Sequence, residues 1–239
     1  MRKIGFLALA FLILLSLVAM TPLSTFASES PVYLMVFEWY GRGRVTFNAI
    51  PPTDNSMSNP DYKLLPFHWY TTAEYWINPN NNYNFLGTAV EAAIKAAADA
   101  WDSETSFQVF SYKGTTDRVA GVNDGFNVVS WGEYSQSNAI AVTFIWYTRT
   151  CIGGRIRMAI VETDTLLNVY FEWSLTGENG KMDVQNIMTH EFGHWCGLDD
   201  LYKDRDYWLT MYGYASFGEI YKRTLGLGDI LGLQKVYGP

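Results

Sequence analysis

The chain predicts an α+β fold, built as a single domain from about residue 67 to residue 239. Three observations carry this expectation. One Ala-rich segment repeats apolar residues at helical spacing, a series of strand-like stretches rich in Val, Ile, Thr and aromatics follows it, and helical signals return only after residue 183. The composition agrees: 49% of the 239 residues are hydrophobic and 17% charged, enough apolar material for one sizeable core and too little charge for a disordered chain.

Arg2 and Lys3 precede an apolar run from Ile4 to Met20, and Thr25-Phe26-Ala27 then offers small residues where a signal peptidase reads. Residues 1–27 are therefore expected to be a secretory signal. The alternative is an uncleaved membrane anchor, because the run is at the short end of what spans a bilayer. Residues 28–66 form an N-terminal extension or pro-region, with a strand-like start at Val32 to Trp39 and turn residues around Ile50 to Asp61. Met35-Val36-Phe37 is material that packs, so an extra layer on the sheet competes with a latency role.

Ala73 to Ile77 reads as a strand, closed by the Asn-Pro-Asn-Asn-Asn loop. Leu86, Ala89, Val90, Ala93, Ile94, Ala97 and Trp101 then mark one face of a long helix. Strands are expected at Phe107 to Tyr112, Phe126 to Trp131 and Ile140 to Tyr147, and over Ile156 to Trp173 as two strands or one bent one. Asp183 can cap a helix from Val184 to about Gly197, and a last helix fits Leu227 to Val236.

Chemistry concentrates in residues 190–200, His-Glu-Phe-Gly-His-Trp-Cys-Gly-Leu-Asp-Asp. His190 and His194 are one turn apart on one helix face, so both imidazoles can reach one metal ion, and Glu191 lies within reach of a water beside it. Gly197 can take the left-handed conformation that turns the chain back and lets Asp200 approach as a third ligand. The chain has only three histidines, and two are in this stretch. That set argues for one catalytic Zn²⁺.

This segment resembles the extended zinc motif of the metzincin metallopeptidases, in the variant with Asp as third ligand, and most closely the matrixins and their bacterial and archaeal relatives. Asp183-Val184-Gln185-Asn186, Val161-Glu162-Thr163-Asp164 with Asn168 and Trp173, and the ending from Leu225 to Gly238 are similar to that family too. The resemblance implies a twisted mixed sheet with a long helix and an active-site helix, then a small C-terminal subdomain with a Met-turn at Met211 and a final helix. It also implies that Ile140, Ala141, Val142 and Thr143 form the edge strand that aligns an extended peptide substrate. An interior strand is the alternative, because Phe144, Ile145 and Trp146 are consecutive. Gly213 stands where many matrixins have Pro. Calcium is possible but has no supporting motif.

The expected activity is that of a secreted zinc endopeptidase with Glu191 as general base. A catalytically weak binding protein and a zinc hydrolase of a non-peptide substrate remain open. The net charge of -7 and pI near 4.9 argue against nucleic-acid partners, and no membrane association is expected after signal cleavage. In an oxidising exterior, Cys151 and Cys196 are expected to form one disulfide.

Overall fold

The computed structural model describes residues 31–41, 58–135 and 138–239, so the signal segment lies outside the described residues. The fold is a mixed α/β arrangement around one seven-stranded, mostly parallel sheet with few helices. Strand β1 is Val32–Gly41, β2 Ala73–Ile77, β3 Phe110–Thr115, β4 Asn127–Gly132, β5 Ala139–Ile152 and β6 Arg155–Asn168. The short strands are β7 (Trp173–Ser174), β8 (Met182–Asp183) and β9 (Tyr214–Ala215), and the helices are α1 (Gly87–Asp102), α2 (Val184–Trp195) and α3 (Leu227–Tyr237).

Sheet order is β3-β2-β4-β6-β5-β1-β9, with β7 and β8 pairing separately. β2 runs parallel to β3 and β4, and β4 parallel to β6. α1 makes the crossover between β2 and β3 that such parallel pairing requires. Its stripe of Val90, Ile94, Ala97 and Trp101 is fully buried. There Trp101 donates its indole N–H to the Thr189 carbonyl of α2 at 2.7 Å, so the two helices pack through a satisfied polar contact as well as apolar area.

β5 and β6 form a long antiparallel hairpin whose turn is Gly153-Gly154, with φ of 59° and 78°. Two consecutive left-handed residues suit the two-residue turn that matches strand twist. Near the other end of β6, Glu162 accepts from the amides of Asp124 and Gly125, and Asp164 from those of Gly121, Val122 and Val128. Two buried carboxylates thereby fix the loop that leads into β4.

Three expectations need correction. The third strand begins at Phe110, not Phe107, because the Asp102 carboxylate at the end of α1 accepts from the amides of Val109 and Phe110 and holds the preceding residues as a loop. The strand containing Ile140, Ala141, Val142 and Thr143 is interior, not an edge. It is flanked by β6 on one side and by β1 on the other, with Phe37 opposite Thr143 and Trp39 opposite Ala141.

The third correction concerns the cysteines, which are both free: Cys151 is exposed and Cys196 buried. Cys151 lies eight residues along β5 from Thr143, which touches α2, and that run of strand spans roughly 26 Å. A disulfide needs Cα atoms within about 7 Å. Among the described residues, no helix is long and apolar enough to cross a membrane.

Candidate metal centre

α2 begins where the Asp183 side chain accepts the Asn186 amide at 2.9 Å, the N-cap expected from sequence. Asp183 also binds the Arg223 guanidinium, which ties the start of the helix to the C-terminal region. One face of α2 carries His190, Glu191 and His194, all buried. The helix ends at Trp195, and Gly197 follows with φ of 90°. Its amide donates to the His194 carbonyl at 2.9 Å, and a Cβ there would stand 2.8 Å from the Phe67 carbonyl oxygen. The turn is stapled from outside the motif by Leu65 N–H to the Gly197 carbonyl and Asp199 N–H to the Lys63 carbonyl, both at 2.8 Å.

This turn delivers Asp200 to the histidines. One ligand atom from each of His190, His194 and Asp200 lies within 4.8 Å of the others, and this buried group could hold a metal ion. His190 Nδ1 is 2.7 Å from the Thr210 carbonyl and His194 Nδ1 is 2.9 Å from the Leu198 carbonyl. A carbonyl only accepts, so each Nδ1 carries a proton, and Nε2 is the nitrogen whose lone pair a neutral ring can offer to a metal. Those two Nε2 atoms face Asp200 Oδ1 at 3.2 and 3.8 Å. Burial pushes the His190 pKa down to about 4, which keeps that ring neutral at pH 7.

Lone pairs therefore converge with no proton between them. His190 Nε2, Asp200 Oδ1 and Glu191 Oε1 are buried without a hydrogen-bond partner. Such groups are costly unless something satisfies them, and a divalent cation meets the requirement for the first two. The Tyr202 hydroxyl donates to Asp200 Oδ2 at 3.0 Å, which favours the charged carboxylate against the cost of its burial. Burial, with the Asp200 charge adding to it, lifts Glu191 to about 8, and a cation held by His190, His194 and Asp200 would favour its charged form again. Asp199 points elsewhere: it pairs with Lys63 at 2.7 Å.

The floor of the centre is Met211. It is buried, and it lies so close to α2 that a Cβ on Gly193 would stand 2.1 Å from its sulfur. Gly193 is thus required by packing. Asp229, in the first turn of α3, accepts from the amides of Thr210 (2.8 Å) and Met211 (3.1 Å) and so fixes the carbonyl that orients His190.

Thr143 was expected to align substrate through its main chain, but its side chain does something else. Its hydroxyl donates to Glu191 Oε2, lies 2.7 Å from the Thr165 hydroxyl, and Thr165 Oγ1 in turn accepts from Trp195 Nε1 at 2.9 Å. Because the carboxylate and the indole fix the two ends, the hydroxyl protons all point toward Glu191. Sequence reasoning missed this relay, as it missed Tyr202 and Asp229. Only Tyr202 left a local signal, two residues past Asp200. His68 is outside the metal-capable group: it bridges to Ala159 of β6 and packs against the Gly197 turn.

Compared with models of known protein families and with curated proteins, the chain matches none.

Proposed function

We propose that this chain is an exported zinc-dependent endopeptidase of the metzincin type, similar to the matrixins, that cleaves extended peptides. The observation that carries the reading is the set of converging, proton-free acceptors on His190, His194 and Asp200 with a carboxylate, Glu191, beside them. Zinc suits two imidazoles and one carboxylate, and when bound it supplies the Lewis acidity that makes a water nucleophilic at neutral pH and polarises a carbonyl. Glu191 accepts the proton of that water as its oxygen attacks the scissile carbonyl carbon. The same carboxyl gives the proton to the amide nitrogen as the C–N bond breaks, releasing an amine and a carboxylic acid whose own proton then passes to solvent. Thr143 holds Oε2 of Glu191, which leaves Oε1 for the proton traffic. Met211 beneath α2 and the left-handed Gly197 are in keeping with the family resemblance.

A second reading, a binding protein on the same fold, draws on one observation: His190 and Glu191 are wholly buried. Glu191 weighs against it, because binding alone has no use for a buried carboxylate with an unpartnered oxygen. The test is metal analysis of the purified chain, followed by mass spectrometry of a peptide library incubated with it. One zinc per chain, with cleavage lost to a chelator and restored by zinc, is expected. A chain that takes up no zinc, or that holds zinc and cuts nothing in the library under any condition that opens the cleft, overturns the proposal.

A further inference from the structure

The metal centre is closed by the chain's own N-terminal strand. β1 pairs antiparallel with β5 from Val32 opposite Thr148 to Tyr40 opposite Ala139, and among the described residues only the two of β9 continue the sheet beyond β1. Its outward side chains Val32, Leu34 and Val36 are exposed, whereas its inward ones meet the cleft. The Phe37 ring stacks on His194 with centroids 4.1 Å apart, and the Trp39 ring stacks on His190 at 3.8 Å with an interplanar angle of 7°. Both metal-facing imidazoles are thus covered by aromatic rings from a single strand.

Trp39 occupies a defined slot. Lys222 Nζ lies over the same ring, 4.6 Å from its centroid. Lys222 is fully buried and is fixed by Glu219 at 3.2 Å, by the Tyr212 carbonyl at 3.1 Å and by the Tyr214 carbonyl. The Trp39 indole N–H has no hydrogen-bond partner among the described residues. What holds the side chain is therefore the face of its π system, against an imidazole and an ammonium, and a phenyl or phenol ring offers the same face.

We propose that β1 is a substrate-like occupant of the chain's own cleft, and that the slot bounded by His190 and Lys222 selects an aromatic side chain in the peptide to be cut. This rests on the peptidase reading above. An extended peptide that displaces β1 gains the main-chain hydrogen bonds of β5, the general mode of strand addition, and a ring placed opposite Ala141 takes the position of Trp39. Because β1 belongs to the same chain as the cleft it fills, it competes intramolecularly, so a free peptide meets a closed site until β1 is loosened. Lys222 acts here as a specificity-determining residue.

The test uses the full chain in four forms: wild type, Trp39→Phe, Trp39→Leu and Trp39→Leu combined with Lys222→Met. Phe keeps a ring and Leu keeps apolar bulk without one, so both retain most of the packing, and circular dichroism checks that each folds. The first measurement is the rate at which a chelator strips zinc. Trp39→Leu is expected to release zinc at least about tenfold faster than wild type, with Trp39→Phe near wild type. The second is binding in trans of the decapeptide with the sequence of Val32–Gly41, against the same peptide with Ala for its Trp, by calorimetry. The Trp peptide should bind the Trp39→Leu chain roughly tenfold tighter, and Lys222→Met should remove most of that difference.

Equal zinc release from the Leu and Phe variants, or equal binding of the two peptides, overturns the proposal. Neither measurement needs turnover. A chain that shows both effects and cleaves nothing defeats the peptidase reading alone, and one that cleaves but shows neither defeats the role of β1 alone.

Discussion

The metal cradle and the strand pair that faces it meet within hydrogen-bonding distance, at Thr143 and Glu191, yet they are specified in different ways. The cradle's ligands fall within residues 190–200, and their relation follows from one helical turn and one left-handed glycine. The strand pair depends on Val32–Tyr40 finding Ala139–Thr148, a pairing between segments far apart in the chain, and on rings that stack only once that pairing exists. A contiguous motif survives because each step is local geometry. Long-range strand pairing has no such local code, since alternation tells which face a residue takes but not which strand lies beside it.

Substitutions at the two carboxylates of the cradle test the first half of this contrast most sharply. Glu191→Gln is expected to retain zinc and lose at least about 10²-fold in peptide cleavage, because the charge that takes the proton is gone while the ligands remain. Undiminished cleavage would remove Glu191 from its role. Asp200→Ala should lose zinc affinity by well over the roughly 10- to 100-fold that a supporting residue commands, and Asp199→Ala should stay close to wild type, since Asp199 faces Lys63. Zinc titration of the two variants side by side settles the assignment, and an equal loss in both would reverse it.

Much of the fold was legible. β2 spans Ala73–Ile77 as expected, α1 and α3 fall within a residue of their expected limits, and Asp183 caps α2. Each of these rests on period or on a cap, which are properties of neighbours in sequence. The consecutive Phe144, Ile145 and Trp146 fit an interior strand, because a strand covered on both faces has no reason to alternate. The fixtures of the site that were not legible are single residues from distant segments. Thr165, Lys222 and Asp229 each act through a partner the sequence does not place beside them, whereas Tyr202 is only two residues from Asp200.

Glycines compare the two regions at smaller amplitude. Gly197→Ala forces a Cβ onto a residue with φ of 90° and to within 2.8 Å of the Phe67 carbonyl, a backbone atom that cannot swing aside. Left-handed strain costs about 1–3 kcal/mol. The midpoint of thermal unfolding is expected to fall by roughly 2–12 °C, with weaker zinc binding because Asp200 is displaced. Gly154→Ala, at the tip of the β5–β6 hairpin, carries φ of 78° but meets nothing within 4 Å, so it should cost only the strain and leave zinc binding alone. Equal effects on zinc would mean that the turn after α2 does not position the ligand.

The two cysteines give the mildest contrast, one at each extreme of burial. Cys196 follows α2 immediately, is wholly buried, and has its thiol pushed well up by that burial, so it should resist a thiol reagent in the native state and react only on unfolding. Cys151 lies near the end of β5, exposed, and should react at once. Cys151→Ser is then a surface change and should alter stability by no more than about 0.5 kcal/mol. A bridge between the two would give a different result: neither thiol would react before reduction, and losing Cys151 would cost about 2–5 kcal/mol. Counting labelled thiols by mass spectrometry before and after denaturation separates the two arrangements. The geometry requires one label first and the second only after unfolding, because a strand tip and the end of a buried helix are held apart by the length of β5.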